Sequence, residues 1–222
     1  MAKYDVILFD LDGTLTDSGP GIVNSVQYAL KKFGIDETDM AKLYKFVGPP
    51  LSETFVGYYG FDEEQCKQGV IWFREYYEAK GIFENSVYDG VPEMLHRLKE
   101  QGMRIIMATS KPEPMAERIV EHFDLKKYFE RVAGSTMDET RTAKADVIAY
   151  ALAECNITDT SKVLMVGDRR HDITGAQKNG LDSMGVLYGY GGREELEAAG
   201  ATLIAGTTQE VADIILQKKE VI

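Results

Sequence analysis

With 222 residues, 44% of them hydrophobic, the chain is long enough for one α/β core plus an insertion and apolar enough to bury that core. Its net charge of −11 argues against binding to a nucleic-acid backbone, for which clustered lysines and arginines are needed. The same acidity repels phosphorylated metabolites, so any such ligand requires local compensation from a metal and a few well-placed lysines. Cys66 and Cys155 make no metal-ligand or redox motif and fall in helix-like segments, so they read as buried free thiols in a reducing cytoplasm. The first five residues lack an apolar leader core and no segment approaches the length of a membrane span, so a cytoplasmic protein without membrane contact is expected.

The first element is Val6-Ile7-Leu8-Phe9, four apolar residues that run directly into Asp10-Leu11-Asp12-Gly13-Thr14. So short and continuous a run suits a central parallel strand covered on both faces. Alternation along the leaving chain sends Asp10 and Asp12 to one side, and Gly13 permits a sharp turn. Two carboxylates so close repel each other unless a cation lies between them, and a hard divalent ion such as Mg²⁺ suits oxygen ligands. An exposed acidic turn uses the same residue types, so the rest of the chain has to decide.

Beyond the loop at 16–21, Ile22, Val26, Ala29, Leu30 and Phe33 follow helical spacing, with Gly34 as a stop signal and a helical pattern resuming through Leu43. Gly48-Pro49-Pro50 breaks it, and further helices are expected over 51–59 and about 62–79. Three or four helices exceed what a βαβ crossover needs, so residues 17–85 are expected to form a separate helical domain. Within it, Trp72, Phe73, Tyr76 and Tyr77 read as packing rather than as a base-stacking platform. Lys45, before the proline pair, is a candidate to reach a substrate carboxylate or phosphate, although an ordinary surface lysine is the simpler reading.

From Tyr88 onward strands and helices alternate. A helix is expected near 92–101, then a strand over 104–108 that ends in Thr109-Ser110-Lys111. Another helix opens at Pro112 and Pro114, a short strand spans 132–135, and a helix begins near Lys144. A second apolar run, Val163-Leu164-Met165-Val166-Gly167, again ends in carboxylates, Asp168 and Asp172. Strands near 184–187 and 203–205, with helices near 194–199 and 210–216, complete a doubly wound parallel α/β sheet formed by residues 1–16 and 86–222. In such sheets ligands sit outside the carboxyl ends of the strands, where Asp10, Asp12, Thr109, Ser110, Asp168 and Asp172 all fall. Thr109 alone reads as a helix cap, Lys144 alone as a solvated lysine, and the pair Asp168 and Asp172 alone as acids at a helix N-terminus; together they fit one ligand. Arg169, Arg170 and His171 read as solvated flanks of that loop.

In combination these motifs resemble the haloacid dehalogenase-like superfamily of phosphohydrolases, in the branch with a helical cap inserted after the first strand. The resemblance covers nearly the whole chain: Asp10-Leu11-Asp12-Gly13-Thr14, Thr109, Lys144, and Gly167-Asp168 through Asp172 match its four motifs, and Gly189-Tyr190-Gly191 is similar to phosphoglycolate phosphatase-like members. Ser110 departs from the pattern, because many relatives carry Asn there, and this bears on substrate contacts.

The resemblance implies that Asp10 attacks phosphorus to form an aspartyl phosphate and that Asp12 protonates the leaving alkoxide and then activates water. It further implies Mg²⁺ held by Asp10, the Asp12 carbonyl and Asp168, with Asp172 close by, while Thr109 and Lys144 meet the phosphoryl oxygens. The expected substrate is a small phosphorylated metabolite, with phosphoglycolate or related short acids ahead of nucleoside monophosphates, and a cap that closes over the site excludes phosphoproteins. A sugar-phosphate mutase and a phosphoaccepting receiver domain are the rival readings; Thr14 where mutases commonly have Val disfavours the first, and length and cap disfavour the second. Dehalogenase activity is disfavoured because Asp12 is acidic. The sequence carries no signal that separates monomer from dimer.

Overall fold

In the computed structural model, which describes residues 3–138 and 140–217, the first apolar run is strand β1 (Val6–Phe9), buried along its entire length. The chain divides into two units, an α/β core of residues 1–16 and 87–222 and an insertion of residues 17–86. Two short strands, β2 (Thr16–Asp17) and β3 (Ser86–Val87), pair where the chain leaves and returns.

The insertion consists of helices α1 (Gly19–Lys32), α2 (Met40–Leu43), α3 (Leu51–Tyr59) and α4 (Glu63–Ala79). Helix α1 ends just before the stop signal Gly34, and the helical pattern expected through Leu43 resumes only at Met40. Gly34 adopts a left-handed φ of 77° just past α1 and ends it, and α2 starts afresh on Asp39, whose carboxylate accepts the Ala41 and Lys42 N–H groups at 2.9 and 3.3 Å. Helix α4 begins with a capping box in which Asp62 accepts from the Gln65 N–H while the Gln65 side chain receives the Asp62 N–H. Aromatic side chains form the centre of this unit: Phe33 lies against Trp72 and Phe61, and Phe73 stacks on Tyr77 with ring centroids 5.3 Å apart.

The core continues through α5 (Val91–Glu100), β4 (Arg104–Pro112), α6 (Glu113–His122), β5 (Arg131–Ser135), α7 (Lys144–Glu154), β6 (Val163–Gly167), α8 (Arg170–Lys178), β7 (Asp182–Val186), α9 (Arg193–Ala198), β8 (Leu203–Ala205) and α10 (Thr208–Leu216). Six strands form one parallel sheet in the order β5-β4-β1-β6-β7-β8. Val6 and Leu8 face a layer in which Val147, Ile148, Ala151 and Leu152 of α7 and Ala176 of α8 are buried. Their neighbours Ile7 and Phe9 point to the opposite face. With both faces covered, no strand of the centre can alternate apolar and polar residues, which is why β1 and β6 read as unbroken hydrophobic runs.

Strand order reverses at β1: the chain passes through β4 and β5 to one side, then returns to place β6 on the other. The crevice outside the carboxyl ends of β1 and β6 is therefore the switch point of the sheet, where open α/β folds bind ligands. The register makes this concrete. Phe9 is paired with Met107 on β4 and with Val166 on β6, so Asp10 leaves the sheet alongside Ala108 and Gly167, one residue before Thr109 and Asp168. Among the described residues no helix is long and apolar enough to cross a membrane.

Candidate active site

Asp10 is tied to the sheet by its own N–H, which donates to the Val166 carbonyl at 2.9 Å. The chain then folds back tightly, with Gly13 N–H donating to Thr16 O at 2.8 Å and Leu15 N–H to Leu11 O at 2.9 Å. Gly13 has φ 79°, and a Cβ there would lie 2.3 Å from Asp168 Oδ2, so both conformation and space demand glycine. From β6, Asp168 is fully buried; its Oδ1 accepts from the Thr14 hydroxyl at 3.3 Å and its Oδ2 from the Tyr190 N–H at 2.8 Å. Asp172, in the first turn of α8, accepts the Arg169 N–H at 3.0 Å. Asp10, Asp168 and Asp172 each offer a carboxylate oxygen within 4.8 Å of the others.

Lys144, the first residue of α7, reaches this cluster from beneath. Its Nζ lies 2.8 Å from Asp10 Oδ1 and 2.8 Å from Asp172 Oδ1, and it donates to the Ala108 carbonyl at 3.1 Å. Gly175 on α8 leaves room for its stem, since a Cβ there would sit 2.9 Å from Lys144 Cγ. Burial opposes the charge on Lys144, but Asp10 and Asp172 outweigh it and hold the ammonium above its ordinary pKa. The carboxyls are pushed the other way. Burial raises Asp10 to about 6, with Lys144 opposing and Asp172 and Asp12 adding to the rise. Burial, then Asp172 and Asp10, raise Asp168 to about 8 against the Tyr190 N–H.

Asp12 lies apart from the three-carboxylate cluster and forms an ion pair with Lys111, Nζ to Oδ2 2.8 Å. Thr109 is buried within β4, three residues before its end, and its hydroxyl accepts the Lys111 N–H at 3.2 Å. Ser110, between them, is exposed. Lys45 lies in the insertion, exposed on a 3₁₀ turn over Tyr44–Phe46. Arg170 and His171 are exposed as expected, whereas Arg169 is half-buried and braces the loop by pairing with Glu195 at 2.9 Å. The core thus brings Asp10, Asp12, Thr109, Lys144, Asp168 and Asp172 to one edge of the sheet. Sequence reasoning missed Lys111, although its two-residue step from Thr109 is the strand period that places both on one side.

A divalent cation fits this donor set. Four carboxylates face two ammonium groups, Lys111 and Lys144, and the negative excess sits on buried oxygens of Asp10, Asp168 and Asp172. All three ligands are hard oxygens, the chemistry that Mg²⁺ takes.

Residues 7–186 match the haloacid dehalogenase-like hydrolase family. A 5'-nucleotidase of Pseudomonas aeruginosa is 45% identical over 196 residues, 88% of each chain. The tyrosine-protein kinase PtkA of Mycobacterium tuberculosis is 39% identical over 214 residues, 95% of this chain and 72% of that one. A phosphoglycolate phosphatase of Colwellia psychrerythraea is 29% identical over 220 residues, 95% and 96% of the two chains. Among solved structures, a predicted phosphatase from Clostridium acetobutylicum superposes with a TM-score of 0.91 at 48% identity, covering 96% of this chain and 98% of that one. The chain belongs to the haloacid dehalogenase-like hydrolase family. Within that family it stands with the phosphoric monoester hydrolases.

Proposed function

We propose that the protein is a Mg²⁺-dependent phosphatase that cleaves small phosphate monoesters through an aspartyl phosphate on Asp10. The observation that carries the reading is the buried Asp10 carboxylate at the switch point of the sheet, 2.8 Å from Lys144 and grouped with Asp168 and Asp172. Asp10, Asp168 and Asp172 would hold Mg²⁺ together with the Asp12 carbonyl; when bound, the ion supplies positive charge against which a phosphate dianion is oriented. Asp10 then attacks phosphorus while Asp12 gives a proton to the departing oxygen and later takes one from water. Thr109 and Lys144 meet the phosphoryl oxygens, since phosphoryl transfer is mostly positioning and electrostatic stabilisation. Ser110 and Lys45 are proposed to contact the substrate beyond the phosphate.

For the substrate, two readings have support. The 45% identity to a 5'-nucleotidase, against 29% to a phosphoglycolate phosphatase, moves nucleoside monophosphates ahead of the short phosphorylated acids that the sequence motifs put first. Phosphate release from a panel of nucleoside monophosphates, phosphoglycolate, sugar phosphates and a phosphotyrosine peptide, ranked by kcat/KM, tests both. Nucleotides are expected to lead. Phosphoglycolate at the top restores the first ordering, and a peptide that outranks every metabolite overturns the small-molecule reading.

A further inference from the structure

We infer that Lys111 is the positioning residue for Asp12: its ammonium fixes one carboxylate oxygen so that the other is presented as the base that takes a proton from the hydrolytic water. The inference rests on the phosphatase reading above and extends it to a residue outside the four motifs.

The backbone builds this lysine into the site. Strand β4 runs on past Ala108 to Pro112 with a shift of register against β5, and Lys111 N–H is tied back to the Thr109 hydroxyl at 3.2 Å. On the neighbouring strand, a Cβ at Gly134 would meet the Lys111 carbonyl at 2.6 Å, so the extension is pressed against β5 at a residue without a side chain. The Lys111 side chain is only 6% exposed and that of Asp12 17%, with Nζ 2.8 Å from Oδ2. Such a pair is held by its surroundings, unlike an exposed ion pair that exchanges with water. Asp12 Oδ1 is enclosed and has no hydrogen-bond partner among the described residues.

The site also divides its cations. Lys144 serves Asp10 and Asp172, Asp168 is held by Thr14 and Tyr190, and Asp12 is paired with Lys111. A carboxylate two residues from a metal ligand is drawn to the same divalent ion, and one captured there has lost the lone pair that a base needs. Lys111 competes for that carboxylate from the other side. In the second half of the reaction the water oxygen bonds to phosphorus as the bond from phosphorus to the Asp10 oxygen breaks. That electron pair returns to Asp10 as carboxylate, the water proton passes to Asp12 Oδ1, and hydrogen phosphate leaves.

The test uses p-nitrophenyl phosphate, whose leaving group departs without a proton, so that only the second step depends on Asp12. For Lys111→Met, kcat is expected to fall by roughly 10- to 100-fold, at or below the low end of what a positioned base contributes. KM falls in parallel, kcat/KM stays near the wild-type value, and a burst of p-nitrophenol approaching one per active site appears. Lys111→Arg retains most of kcat. Without activity as the readout, the Mg²⁺ concentration that gives half of the thermal stabilisation is expected to drop several-fold in Lys111→Met, because a carboxylate has been released toward the ion. Lys111→Gln serves the same purpose if circular dichroism shows that Lys111→Met does not fold. A raised KM with no burst, or equal losses in kcat and kcat/KM, overturns the inference. Wild-type protein that releases phosphate from no monoester overturns the phosphatase reading itself, and the inference with it.

Discussion

Replacing Lys144 with methionine keeps most of the length of the side chain and removes the cation that, among the described residues, touches both Asp10 and Asp172. An ammonium and a carboxylate about 4 Å apart between charge centres attract by about 4 kcal/mol at an effective dielectric of 20, and two such contacts are lost. The lysine's own desolvation offsets part of this, since its side chain is only 4% exposed. Removal of one partner from a buried pair costs about 3–5 kcal/mol net, because the remaining charges stay buried and uncompensated. At 2–4 °C per kcal/mol for a chain of this size, the melting temperature of the metal-free variant should fall by roughly 6–20 °C at pH 8. The loss should be smaller at pH 5. Asp10 and Asp168 titrate near 6 and 8 when folded, well above ordinary carboxyls, because burial disfavours their charge. A raised folded-state pKa contributes stability that is lost as pH rises through it, so below about 6 these groups hold protons and the missing ammonium matters less. Thermal melts in EDTA at both pH values, each referenced to wild type, measure the difference, and added Mg²⁺ should recover part of it. A variant as stable as wild type at pH 8, or one that loses more at pH 5, refutes the account of Lys144 as charge compensation for the cluster.

Asp10→Asn should leave the fold intact and reduce turnover to background, since the amide keeps the shape and loses the nucleophile; phosphate release with contamination excluded is the check. Chelation should abolish activity and lower the melting temperature, and Mg²⁺ should restore both. Ca²⁺ should restore stability better than activity, because its larger and more variable coordination shell disturbs in-line geometry. Full activity after exhaustive removal of metal would contradict the assignment of Asp10, Asp168 and Asp172.

How much of this was legible in the sequence differs by element for physical reasons. Strands β1 and β6 announce themselves because a strand covered on both faces has no polar positions, and the carboxylates that end them stand out against that background. The sheet's switch point follows from the order of the elements. Lys144 is different, since nothing local marks a lysine at a helix start as buried; its partners lie just after β1 and on α8, more than 130 and nearly 30 residues away, and only in combination with the other motifs does it stand out. Lys111 carries no local signal because the apolar run stops at Ala108, whereas β4 continues through polar residues to Pro112. The break between α1 and α2 is legible for a local reason: Gly34, the stop signal, takes the left-handed conformation that ends a helix.

Gly13 offers a way to separate backbone strain from site geometry. Alanine in a left-handed conformation costs roughly 1–2 kcal/mol from the clash of Cβ with the backbone alone. Gly102, at the end of α5 in the same unit, has φ 77° against 79° at Gly13, yet a Cβ there would have no neighbour within 4 Å. Gly102→Ala therefore measures the strain term by itself: a fall of a few degrees in melting temperature, with kcat and KM unchanged. At Gly13 the added carbon would lie 2.3 Å from Asp168 Oδ2 and 2.6 Å from Asp168 Cγ, which no real contact tolerates. The carboxylate must move, and it is pinned from the other side by the Thr14 hydroxyl and the Tyr190 N–H. Gly13→Ala should then lose the Mg²⁺-dependent part of its thermal stability and its phosphatase activity, while in EDTA its melting temperature falls by little more than that of Gly102→Ala, because displacing Asp168 also relieves repulsion from Asp10 and Asp172. If Gly13→Ala keeps both activity and the response to Mg²⁺, the close packing of the nucleophile loop on Asp168 is not what holds the metal ligands in place.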